Sequence, residues 1–172
     1  MRTLLASLAL LVGSLTAQPA FSEAELYQLS FNNVEQQQVS LGEYKGKVIL
    51  LNFWATWCPP CVKEMPTMER LRNHFSDQPF EIVAINAGEQ SAAVESFLMD
   101  MEMKGTPLTF PILLDEKGRS FREFGLKGLP MTFLFDQQGE LIETIGGGAD
   151  WDTPEKIKKI ENILGSEKTA DI

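Results

Sequence analysis

The chain has 172 residues, of which 44% are hydrophobic and 23% charged, so it is long enough for one globular domain with a proper core. Its formal charge of −9 is repelled by phosphate backbones and anionic lipid surfaces, which argues against nucleic acid as a partner and fits a domain that meets other proteins. With two cysteines and one histidine, Cys58, Cys61 and His74 cannot complete a four-ligand zinc site without carboxylates.

The first 20 residues read as a secretory leader. One positive charge, Arg2, precedes the apolar run Leu4 to Leu15, and the small-residue segment Thr16-Ala17-Gln18-Pro19-Ala20 follows. The apolar run is short for a membrane span, and an uncleaved N-terminal anchor is the alternative. The remainder, residues 21–172, is expected to be one domain outside the cytoplasm, monomeric and with no cofactor or metal.

Tyr27, Leu29 and Phe31 alternate with polar residues, as do Val39 and Leu41 after the Asn32-Asn33 break, which predicts an N-terminal β-hairpin. Gly42 to Gly46 connects it to a strand over Lys47 to Phe53, whose unbroken apolar run suits burial on both faces. A helix is expected from Pro59 to Phe75, with Val62, Met65, Met68, Leu71 and Phe75 inward and a kink at Pro66. His74 should be a solvated residue near its end.

A strand over Phe80 to Asn86 and a helix over Ser91 to Met103 follow, the helix burying Val94, Phe97 and Leu98. Past Gly105-Thr106-Pro107 come a strand over Phe110 to Leu114, a turn at Asp115-Glu116-Lys117-Gly118, and a short helix carrying Phe121 and Phe124. Strands over Met131 to Phe135 and Glu140 to Ile145 form a hairpin about Asp136-Gln137-Gln138-Gly139. Asp152-Thr153-Pro154-Glu155 starts a last helix lined by Ile157, Ile160, Ile163 and Leu164, and the polar tail from Gly165 should fray.

The chemistry concentrates at Asn52-Phe53-Trp54-Ala55-Thr56-Trp57-Cys58-Pro59-Pro60-Cys61, between a strand and a helix. A bridge across two intervening residues closes too small a loop to staple a fold, so a redox role is the better use of the pair. Unsatisfied N–H groups at a helix N-terminus lower a cysteine pKa below its free value of about 8.5. Cys58 should be the more exposed attacker and Cys61 the shielded resolver of a mixed disulfide. The two prolines remove backbone donors that would stabilise the Cys58 thiolate, which favours giving electrons over taking them. Glu64, one turn beyond Cys61, is placed to take its proton if Val62 and Met65 desolvate the carboxyl; the alternative is a solvated glutamate pairing with a neighbour.

The segment Trp54 to Cys61, with Gly46-Lys47 ahead of the strand and Leu129-Pro130 far downstream, resembles the thioredoxin fold, and more narrowly the exported TlpA/ResA-type thiol–disulfide oxidoreductases. The likeness covers nearly the whole chain after the leader. It implies an α/β domain with a central mixed sheet flanked by helices, the N-terminal hairpin, and a helix–strand insertion over about Ser91 to Leu114. It also implies a buried glutamate at Glu64 and a cis proline at Pro130, opposite a Cys58–Cys61 disulfide. The substrate would meet Trp57, Pro59, Leu129, Pro130 and Met131. A protein disulfide as client and a membrane thiol–disulfide electron donor come with the resemblance.

Three positions depart from the family pattern. Asn52 stands where thioredoxin has an acid, which fits a branch in which the glutamate takes over. Met131 stands where threonine usually follows the proline, which alters the substrate rim. The Gly-Val-x-Gly-x-Pro-Glu signature of dedicated cytochrome c maturation proteins is absent from Phe124-Gly125-Leu126-Lys127-Gly128-Leu129-Pro130, so an apocytochrome client is unmarked. A disulfide oxidase or isomerase could use the same cysteines, whereas a peroxidatic Pro-x-x-x-Thr-x-x-Cys context is missing. The thioether run Met99, Met101, Met103 raises a copper-handling alternative. On a helix, however, Met101 would point away from the other two.

Overall fold

The computed structural model describes residues 23–166; the expected leader lies outside them. Along the chain run α1 (Glu23–Gln28), β1 (Ser30–Asn33), β2 (Gln38–Ser40), a 3-10 turn (Leu41–Tyr44), β3 (Val48–Trp54), α2 (Pro59–His74), β4 (Phe80–Ala87), α3 (Ser91–Met103), β5 (Ile112–Asp115), α4 (Ser120–Glu123), β6 (Met131–Phe135), β7 (Leu141–Gly146) and α5 (Pro154–Ser166). The strands form one mixed sheet in the order β2-β1-β5-β4-β3-β6-β7. β3 and β5 flank β4 in parallel, while β6 runs antiparallel to β3.

β3 and β4 are buried along their whole length because both faces of the sheet are covered. The period of two sorts their residues. Val48, Leu50 and Trp54 join Met65, Met68 and Leu71 of α2, Val94 of α3 and Ile160 of α5 on one face. Ile49, Leu51 and Phe53 join Leu26 of α1, Leu41, Tyr44 and Phe124 on the other. Asn52 has the parity of the α2-facing set, so its amide is carried into the interface with that helix.

α2 keeps its expected extent and continues through Pro66 without a break. It has Cys58 as its N-cap, in extended conformation, and prolines at its first two positions. Val62 is only partly buried, and Phe75 is its buried C-cap. His74 is exposed at the helix end, as expected.

Several boundaries differ from the sequence expectation. Tyr27 belongs to α1 rather than to a strand, because the segment Glu-Ala-Glu-Leu-Tyr-Gln is made largely of good helix formers, and Leu26 is then fully buried. The hairpin is thereby shortened to β1 and β2. Leu41 opens the 3-10 turn, capped reciprocally by Ser40 and Glu43. β5 begins two residues later than expected, after Pro111, which has no N–H to give a ladder. α5 runs through Gly165 to Ser166, so the helix outlasts the expected fraying point; residues 167–172 lie outside the described ones.

Truncation of the α2 seam should be costly and truncation of the exposed α3 face should not. Leu71→Ala, at a fully buried site, is expected to lower the unfolding free energy by about 2–5 kcal/mol. Met103→Ala, at a side chain 81% exposed, should change it by less than about 0.5 kcal/mol. Urea denaturation of both variants measures the contrast.

Candidate active site

Cys58 and Cys61 are joined as a disulfide with a Cα–Cα separation of 5.3 Å. The order of exposure is the expected one: Cys58 is 4% exposed and Cys61 is fully buried. Trp57, just ahead of them, is 66% exposed, a large apolar surface beside the sulfurs. Two of the four N–H groups that normally lie free at a helix start are absent, because Pro59 and Pro60 occupy those positions.

Three separate segments converge here. The Leu129–Pro130 peptide is cis. In the β3–β6 register Met131 pairs with Phe53, and one step further brings Pro130 beside the end of β3 from which the cysteine loop departs. Gly147 N donates to Pro130 O at 2.9 Å, tying the segment after β7 to that proline. Gly148 then lies against Pro60, where a Cβ would come within 3.1 Å of the ring, a tight contact that glycine avoids. Pro59 is exposed, and Leu129 and Met131 are half-buried at the same end.

Glu64 is 1% exposed and is not the solvated glutamate of the alternative reading. Its Oε1 accepts from Asn52 Nδ2 at 2.9 Å, and its Oε2 accepts from Ala149 N and from Trp151 Nε1, each at 3.0 Å. Asn52 also donates to Thr132 Oγ1 at 2.9 Å, its partner across the β3–β6 ladder. The helix itself supplies no cap to this carboxyl; β3 and the segment before α5 do. Burial pushes the Glu64 carboxyl above the ordinary carboxylate range, and the Ala149, Trp151 and Asn52 hydrogen bonds and the Lys156 charge pull it back only in part. Pro60, Lys63, Glu64, Gly148, Ala149 and Asp150 line a surface cleft of about 220 Å³.

Sequence reasoning missed Trp151 and Glu89. Glu89, between β4 and α3, accepts from Thr56 N and Asn86 Nδ2, each at 2.7 Å, and so ties down the residue before Trp57. The only available hint of Trp151 was a large aromatic between a glycine run and a helix start. The thioethers do not converge: Met101 is buried, whereas Met99 is 63% exposed and Met103 more so. The helical spacing of α3 separates them as the sequence suggested.

The Redoxin family pattern matches residues 14–164. The thiol-disulfide oxidoreductase ResA of Bacillus cereus is 34% identical over 143 residues, covering 79% of this chain and 80% of that protein. ResA of Geobacillus thermodenitrificans is 40% identical over 149 residues, covering 86% of this chain and 80% of that one. Among solved structures, a putative thiol:disulfide interchange protein DsbE from Chlorobium tepidum superposes with a TM-score of 0.71 at 28% identity, over 80% of this chain and 93% of that one. StoA from Bacillus subtilis superposes with a TM-score of 0.61 at 31% identity, over 77% and 95%. A dithiol pair between strand and helix, in a mixed sheet of this order and with relatives of this kind, places the chain in the Redoxin family, as a thioredoxin-like thiol–disulfide oxidoreductase.

Proposed function

We propose that the protein works outside the cytoplasm as a reductase of protein disulfides, with Glu64 as the base for its second step. The observation that carries this reading is the buried Glu64 carboxylate, one helical turn beyond Cys61 and held by three neutral donors.

In the forward half-reaction the Cys58 thiolate attacks one sulfur of the client disulfide, forming a mixed disulfide and releasing the first client thiolate. Cys61 passes its proton to Glu64. The resulting thiolate attacks the Cys58 sulfur and releases the second client thiolate. The client gains two electrons, and the enzyme is left in the Cys58–Cys61 disulfide form. Trp57, Pro59, Leu129, Pro130 and Met131 form the rim that the client meets. Since Pro130 O already accepts from Gly147, pairing with an extended client falls to the backbone ahead of that proline.

The leader pattern around Arg2 and Leu4 to Leu15 supports export. An exported enzyme has no access to cytoplasmic NADPH, so its reducing equivalents come from a membrane dithiol donor. An apocytochrome c is one admissible client. The reducing direction is supported by the missing Pro59 and Pro60 donors, since a thiolate with fewer N–H partners makes the disulfide a weaker oxidant.

Cys61→Ser should arrest turnover at the mixed disulfide, so that client proteins remain bound through Cys58 and are recovered on non-reducing gels; a redox-inert chain that captures nothing would sink the proposal. The Cys58–Cys61 potential should lie near about −270 mV, the thioredoxin range, and a value near about −120 mV would mark an oxidase instead. Glu64 is raised above the ordinary carboxylate range, so it is protonated early as pH falls and can no longer accept the Cys61 proton. Glu64→Gln should therefore slow resolution by about 10- to 100-fold near neutrality and leave the thiol's own ionisation to control it. Rapid-mixing kinetics across pH 6 to 9, roughly the range of perturbed thiol ionisations, read that change.

A further inference from the structure

Glu64 is gripped on its Oε2 side by a segment far away in sequence. Residues 146–151 leave β7, cross Pro60 at Gly148, donate to Glu64 from Ala149 N and turn Trp151 inward. Trp151 is enclosed: its Nε1 donates to Glu64 Oε2 at 3.0 Å, and its backbone N–H donates to Thr67 Oγ1, one turn further along α2, at 3.0 Å. The outer face of its ring carries Lys156 Nζ of α5, 4.6 Å from the ring centre. A buried indole N–H needs an acceptor, and the acceptor it meets here is the Glu64 carboxyl.

We propose that Trp151 is a positioning residue for disulfide exchange, whose indole N–H, backed by Lys156, sets the pH at which Glu64 can accept the Cys61 proton. This rests on the reading of Glu64 as the base. Among the described residues, the charged groups near the carboxyl are few. Lys63 of α2 and Asp150 line the cleft beside it, Lys156 stands behind the indole, and β3 and β6 contribute the uncharged Asn52 and Thr132. The indole and the ammonium both favour the ionised carboxylate, so removing either makes Glu64 hold its proton to higher pH.

The test uses the full reduced protein and excess 5,5′-dithiobis(2-nitrobenzoate). Cys58 attacks the reagent and releases one thionitrobenzoate; Cys61 then displaces the second from the mixed disulfide, closing the Cys58–Cys61 bond. The rate of the second release against pH reports Cys61 alone. Trp151→Phe, which keeps an aromatic ring and loses the donor, should move the midpoint of that profile up by about one pH unit, as loss of a charge-assisted hydrogen bond implies. Lys156→Gln, at a partly exposed site that cannot cost the fold, should move it the same way by a few tenths of a unit, roughly the scale of an exposed cation–π contact. In a Glu64→Gln background both shifts should vanish. A Trp151→Phe protein with a lower melting temperature but an unmoved midpoint overturns the inference and leaves Glu64 as the base. Should Trp151→Phe not fold, an unmoved midpoint in Lys156→Gln overturns it equally. If Glu64→Gln itself leaves the profile unchanged, the assignment of the base has failed, and this inference fails with it.

Discussion

A carboxylate taken out of water must be met by donors or give up its charge, and that constraint at Glu64 organises the rest of the molecule. Its partners lie 12, 85 and 87 residues away along the chain. Bringing them to one point requires the β3–β6 register that sets Asn52 opposite Thr132 and the β6–β7 hairpin that returns the chain toward α2. A slip of one residue in β3 would turn Asn52 to the opposite face and leave the carboxyl with one fewer donor.

Two other buried glutamates show how differently the same side chain is used. Glu69 of α2 accepts from Thr109 N at 2.8 Å and Thr109 Oγ1 at 2.6 Å, fastening the helix to the segment before β5. Glu81 of β4 is met by Arg72 at 2.9 Å and Lys47 at 3.5 Å. Both are answered by a clamp or a cation and serve the packing of α2 on the sheet. Glu64 is also met by neutral donors, but it stands one turn beyond Cys61, and burial pushes its carboxyl above the ordinary carboxylate range.

The α2 start has the same economy. Cys58 caps the helix without a side-chain hydrogen bond, and the next two positions offer no N–H, so the helix end that would favour a thiolate is only half-furnished. The Glu89 clamp on Thr56 and the segment against Pro60 hold the cysteine loop, and Trp57 and Pro59 face solvent.

Much of this was legible in the sequence because it is local. The unbroken apolar run of β3 announced a doubly covered strand, the prolines announced the start of α2, and the i, i+3 relation of Cys61 and Glu64 set them one turn apart. The errors were local too: in the Tyr27 region strand-like alternation competed with helix propensity, and burial of Leu26 decided the matter. What no window of sequence could reveal was the environment of Glu64. Val62 and Met65 were the expected source of desolvation, yet the groups that enclose the carboxyl come from β3 and from the stretch between β7 and α5. Local spacing was enough to place a dithiol at a helix start with an acid one turn behind it. Only the tertiary structure decided that the acid is buried among neutral donors, because strand register and the hairpin return act over distances that periodicity does not record.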